Sequence, residues 1–255
     1  MPAETLVKQR IDAPPRFFEA EAAGLNWLAA ARGARVVEVI DVSPGRIELV
    51  RIRETQPARD AARAFGAALA VTHTGGADAF GAPPTGWDGP LFIGKRPLPV
   101  ADESSWGRFY ARDRILPYLG IAAHAGGVSR DEATVVELAV DRIDAGELDD
   151  GEPPARIHGD LWHGNLLWDA HGGILIDPAA HGGHRETDLA MLALFGAPYL
   201  DDIVAAYDES RPLRAGWRQR IPLHQLHPLV VHAASYGPSY GRALAEAARE
   251  TLALP

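Results

Sequence analysis

The sequence predicts an α+β chain, with a small strand-bearing region up to residue 54 and a larger helical region over 55–255. Two observations predict it. Short strand-like runs separated by Pro and Gly turns are concentrated in the first quarter, whereas apolar residues at helical spacing dominate from Pro57 onward.

In order, Thr5 to Ile11 reads as a strand that Pro14-Pro15 breaks, and a helix follows from Arg16 to Ala31, stopping near Gly33. Val36 to Val42 and Ile47 to Ile52 read as a hairpin turned by Ser43-Pro44-Gly45. In the helix, Phe18, Glu21, Leu25 and Leu28 share one face, so a carboxylate sits on an apolar stripe. Phe65, Leu69 and Thr72 mark one face of the next helix, and Gly75 to Pro99 reads as a substrate loop. Trp106 to Leu119 and Ser129 to Ile143 are two further helices, the second opened by Ser129 and Glu132 at capping-box spacing. Three short apolar pieces follow, Arg156 to His158, Asn165 to Trp168 and Ile174 to Asp177, and three helices are predicted between Thr187 and Leu254.

Composition narrows the function. The 255 residues are 47% hydrophobic and 23% charged, as in an ordinary globular chain of one or two domains. With 25 Lys and Arg against 34 Asp and Glu, the net charge of −9 argues against general nucleic-acid or membrane binding, so any phosphate requires local cations or a metal. No cysteine is present, which excludes thiolate nucleophiles and iron–sulfur clusters. The start of the sequence has no apolar core of signal-peptide length, and a cytoplasmic protein is expected.

Chemistry concentrates late in the chain, where five of the ten histidines fall within 27 residues: His158, His163, His171, His181 and His184. The string His158-Gly-Asp160-Leu-Trp-His163-Gly-Asn165, then an apolar strand ending in Asp177-Pro178, has the skeleton of a phosphotransfer site. In such sites one Asp accepts the proton of the attacking hydroxyl, and an Asn five residues later joins an Asp on the next strand as magnesium ligands. A loop carries the base, and a tight hairpin sets the two hard oxygen ligands side by side.

These residues, together with His184-Arg-Glu-Thr-Asp188-Leu-Ala-Met191, resemble the fructosamine or ketosamine-3-kinases, relatives of the aminoglycoside phosphotransferases with the protein-kinase-like fold. Fainter similarity covers nearly the whole chain, through Thr5-Leu-Val-Lys8, Glu19-Ala-Glu21, Trp106 to Leu116, and Leu223 to Leu226 with Gly237 and Tyr240. The resemblance implies a two-lobed ATP- and magnesium-dependent kinase that phosphorylates a ketosamine, at the 3-hydroxyl, in deglycation. It implies Asp160 as the base, with Asn165 and Asp177 as metal ligands. Lys8 would pair the nucleotide phosphates with Glu21 as its helix partner, and Leu49, Val50, Arg51 and Ile52 would form the hinge that meets adenine. Asp188 would brace the catalytic loop beside His158, while His163 would line the sugar pocket or bond a backbone carbonyl. Seven residues precede Lys8, fewer than the roughly 15 that a glycine-rich phosphate-covering hairpin takes. A truncated small lobe and slow turnover are therefore expected.

Two rivals follow from the same residues. A metal-dependent hydrolase would use His158, Asp160 and His163 with His181 and His184 around zinc or manganese. A non-catalytic nucleotide- or sugar-amine-binding relative would have lost turnover with the loop. The oligomeric state is left open.

Overall fold

In the computed structural model, which describes residues 4–255, the first strand β1 (Thr5–Gln9) leads through the Pro14-Pro15 break into α1 (Phe17–Ala30). A short β2 (Arg35–Val36) is followed by β3 (Val39–Ser43) and β4 (Arg46–Val50). Gly45 adopts φ 76° in the β3–β4 turn, a left-handed conformation that glycine enters without steric cost. The three strands form an antiparallel sheet in the order β1-β4-β3, with Lys8 opposite Ile47. Phe18, Leu25, Ile47 and Leu49 pack α1 onto this sheet. The expected strand over Val36 to Val42 is in fact two. Arg35 and Val36 pair in parallel with Ile174 and Leu175, in another sheet, because Val37 turns inward there and ties the two parts of the chain together.

The remainder is largely helical. α2 (Arg59–Thr74) buries Phe65, Leu69 and Thr72, as the spacing predicts. Within the expected loop, β5 (Leu91–Ile93) and β6 (Arg96–Leu98) form a hairpin. A continuous helical stretch follows as α3 (Trp106–Phe109), a π-helical turn over Tyr110–Ile115, and α4 (Leu116–His124). α5 (Arg130–Asp144) begins with the predicted capping box: the Glu132 N–H donates to Ser129 Oγ, and the Ser129 N–H donates to the Glu132 carboxylate.

The site-bearing segment comprises β7 (Ala155–Ile157), a 3-10 turn over His163–Asn165, β8 (Leu166–Asp169), β9 (Gly172–Leu175) and β10 (His181–Gly183). Four helices then close the chain where three were expected: α6 (Arg185–Phe195), α7 (Leu200–Ser210), α8 (Ile221–Tyr236) and α9 (Pro238–Leu252). Gly196, at φ 72°, ends α6 and separates it from α7, a break that Gly196 and Pro198 mark in the sequence. Pro228 lies within α8, which packs against α4, α6 and α9. No helix among the described residues is long and apolar enough to cross a membrane.

Candidate active site

The catalytic-loop candidate begins after β7, where Gly159 adopts φ 80° and a Cβ would come within 2.3 Å of the Ala179 carbonyl oxygen. Only glycine lets the loop pass that closely under the segment following Asp177. The loop is then held from below. The N–H groups of His158 and Gly159 donate to the two carboxylate oxygens of Asp188, at 2.8 and 2.9 Å, from the start of α6. Burial works to raise the Asp188 carboxyl, but bonds from His73 and the loop outweigh it and hold it below the usual range.

His158 is buried and neutral, since desolvation lowers its imidazole. Its Nδ1 accepts from the Asp160 N–H at 3.2 Å, which leaves the proton on Nε2 to donate to the Ile176 carbonyl at 2.8 Å. One imidazole therefore bridges the Asp160 loop and the strand end that carries Asp177.

Asp160 and Asn165 meet directly. The Asn165 amide donates to the Asp160 carbonyl at 2.8 Å and to its carboxylate at 3.1 Å. That leaves Asn165 Oδ1 free for a cation. Burial pushes the Asp160 carboxyl up to about 7, against the Asn165 bond and with help from Asp177 and Asp188. Asp177 stands at φ 52°, a strained conformation for a residue with a side chain, and such strain concentrates where a side chain must be aimed. Its carboxylate meets the Lys8 ammonium, whose other partner, Glu21, lies at 2.7 Å. Burial opposes the charge on Lys8, but the two carboxylates raise its pKa above the ordinary lysine value. The carboxylate on the apolar stripe of α1 thus has its cation.

Lys8, Glu21, Asp160, Asn165 and Asp177 line one cleft of about 1020 Å³. Its other walls come from Leu91 to Arg96, Trp162, Met191, and the Pro228 to Tyr236 part of α8. The β5–β6 hairpin, within the segment expected to be a substrate loop, supplies one wall of the cleft.

Three expectations are corrected. His163 is exposed, packs edge-on against Trp162 with ring centroids 5.0 Å apart, and neither lines the cleft nor hydrogen-bonds through its ring; Trp162 takes that place. None of Leu49, Val50, Arg51 and Ile52 lines the cleft. Leu49 is buried in the α1 core, while the Val50 and Arg51 N–H groups donate to Glu38 and Glu4, so Ile52 alone of the four keeps an N–H that no described backbone group accepts. The hydrolase arrangement is not assembled either. His158 spends both ring nitrogens on the backbone, His163 is exposed, and His181 bonds the Ala179 carbonyl at 2.7 Å. Among the described residues, His184, Glu186 and His224 are the one group whose ligand atoms converge. His184 Nδ1 accepts from the Glu186 N–H, so its Nε2 proton goes to Asp150, and Arg220 occupies the Glu186 carboxylate. The ligand atoms of that cluster are thus already engaged by Asp150, Thr187 and Arg220.

One supporting residue carries no signal in the sequence. His73, at the end of α2, donates from Nε2 to Asp188 at 3.1 Å and accepts the Tyr207 hydroxyl at 2.8 Å. Its partners lie more than a hundred residues away, and only packing of α2 on α6 and α7 brings them together.

A strand lysine paired with a helix glutamate, a buried aspartate on a braced loop, and an Asn and Asp beside it across one cleft define a phosphotransferase of the protein-kinase-like class. Similarity to a solved aminoglycoside phosphotransferase, at 16% identity and TM-score 0.54 over 92% of this chain and 82% of that one, bears on the fold alone. The fructosamine kinase family profile matches residues 3–253. A candidate ketoamine kinase from Enterococcus faecium is 34% identical over 233 residues, covering 88% of this chain and 79% of that protein. The crystal structure of a candidate fructosamine-3-kinase from Thermobifida fusca is 46% identical with TM-score 0.91, over 99% of this chain and 86% of that one. The chain belongs to the fructosamine kinase family, and it is an ATP-dependent phosphotransferase.

Proposed function

We propose that the protein transfers the γ-phosphoryl group of ATP to a hydroxyl of a ketosamine, the 3-hydroxyl, and so labilises sugar–amine adducts in deglycation. The observation that carries this reading is the meeting of Asp160, Asn165, Asp177 and the Lys8–Glu21 pair in one cleft. Asp160 lies where it can accept the proton of the attacking hydroxyl, and burial gives it a basicity near neutral pH, which suits a general base. Lys8 holds nucleotide phosphates, with Glu21 fixing its ammonium.

The free Oδ1 of Asn165 and the Asp177 carboxylate are a hard-oxygen pair of the kind that suits Mg²⁺, and these two residues would hold it. When bound, the cation supplies neutralisation of phosphate charge. Asp188 and His158 keep the loop in register, so the base and the ligands hold their spacing without reorganisation. We set the lobe boundary near residue 54, after β4.

The test is direct. Purified protein with ATP, magnesium and a fructosamine or ribulosamine should yield the adduct heavier by one phosphoryl group in a mass spectrum. Consumption of ATP with no change in the adduct would sink the assignment of the acceptor.

A further inference from the structure

Most cations around the cleft are already matched. Lys8 faces Glu21 and Asp177, Arg10 bonds Asp12 at 3.0 Å, and Arg16 bonds Asp88 at 2.8 Å. Lys95 and Arg96 are not: no carboxylate among the described residues lies within ion-pair distance of either. Both line the cleft, on the turn and second strand of the β5–β6 hairpin. The hairpin spans the mouth. At one end Phe92 packs on Phe17 of α1, with ring centroids 5.1 Å apart. At the other, the Arg96 Nε donates to Ser235 Oγ at 3.1 Å and a second nitrogen to the Ala234 carbonyl, which fixes the guanidinium at the end of α8. Lys95 is exposed beside Gly94, which adopts φ 53° in the turn.

The cleft is therefore polarised. Around the catalytic loop the carboxylates Glu21, Asp160 and Asp177 outnumber Lys8, and Lys95 with Arg96 makes the hairpin rim basic. A ketosamine whose sugar reaches Asp160 carries its protonated amine just outside the sugar, and whatever bore the amine extends toward the rim. On an uncharged alkylamine, that outer part brings no anion to the two cations. On the α-amine of an amino acid, a carboxylate stands one carbon beyond the nitrogen, so the cation-inside, anion-outside order of the substrate complements the cleft.

We propose that Lys95 and Arg96 form an anion-accepting rim that selects, among ketosamines, those built on the α-amine of an amino acid. The proposal rests on the ketosamine reading of the site. Lys95 and Arg96 are specificity residues within it and take no part in the phosphoryl transfer.

The experiment compares kcat/KM for fructosylglycine with that for the same sugar on ethylamine. Partly exposed ion pairs are worth little singly, so the wild-type preference for the glycine adduct is about 2- to 10-fold at low salt. It should shrink as salt is raised. Lys95→Gln, at an exposed turn, should lower that ratio, and adding Arg96→Gln should bring it near one. A ratio near one in the wild type, or one unmoved in the double variant, overturns the proposal. So does a raised KM for ATP in Lys95→Gln, which would assign the rim to nucleotide phosphates. Preference for an ethylamine adduct of a sugar phosphate over fructosylglycine would likewise overturn it, since the anion selected would then sit on the sugar. Failure to phosphorylate either adduct is a different outcome: it removes the ketosamine reading, and this proposal with it.

Discussion

Asp160 and Asp177 lie in one cleft but fail differently when altered, because one is read as a base and the other as a ligand. Asp160→Asn keeps the size of the side chain and removes the proton acceptor, so kcat should fall by about 10²- to 10⁴-fold while nucleotide affinity changes little. Asp177→Ala deletes a ligand charge and frees Lys8 from one partner, so magnesium–nucleotide binding itself should weaken. Calorimetry on both variants checks the split, and unchanged nucleotide affinity in Asp177→Ala counts against the metal assignment. Asp160, Asn165 and Asp177 were legible because a short loop and a tight hairpin fix their spacing locally. His158 and Asp188 were legible with them. The exposed His163 was not, because a 3-10 turn sends adjacent side chains in different directions and gave the cleft to Trp162 instead.

Elements carry this geometry, and α2 is the one that links packing to the site. A Cβ on Gly66 would lie 2.0 Å from the Ile203 carbonyl oxygen, so α2 and α7 touch backbone to backbone there. Gly66→Ala should force the helices apart and destabilise the fold by about 1–3 kcal/mol or more. Because α2 holds His73 against Asp188 and α7 holds Tyr207 against His73, the same change should lower kcat in the fraction that remains folded. Thermal denaturation together with turnover checks this, and a stable, fully active Gly66→Ala would show that the helices yield without disturbing the loop. The capping box of α5 was readable because both partners lie within four residues. The division of Val36 to Val42 between two sheets was not. Both halves have strand-forming residues, and the choice of partner was made by β9, more than a hundred residues later.

At the scale of the whole molecule, the buried histidines set the response to pH. Burial lowers His224 to about 4 and His227 to about 3, against about 6.5 in an unfolded chain. Both are neutral when folded, so between pH 6.5 and 4 the unfolded chain binds protons that the folded one does not. Their stabilisation is complete above about pH 6.5 and is lost as pH falls, by at most about 1.4 kcal/mol per pH unit for each. His181, also lowered by burial, acts in the same direction. Asp160, raised to about 7, acts in the opposite direction together with Glu21 and Asp113, but against five lowered imidazoles once His158 and His232 are included. The melting temperature should therefore drop between pH 7 and pH 5, and His227→Asn should flatten the slope. A melting temperature constant or rising over that range would be incompatible with neutral buried imidazoles.

The sequence by itself determined the α+β class, the helical faces of α1, α2 and α5, and the grouping of Asp160 with Asn165 and Asp177, since each depends on residues close enough in the chain to fix one another's positions. Only the tertiary structure decided the rest: that Lys8 meets both Glu21 and Asp177, that His73 and Tyr207 brace Asp188, and that a hairpin at residues 91–98 walls the cleft with two unmatched cations. Those pairings join segments up to 169 residues apart. Burial of the cores beneath them brings such segments together, and local propensity carries no record of which distant partner each will meet.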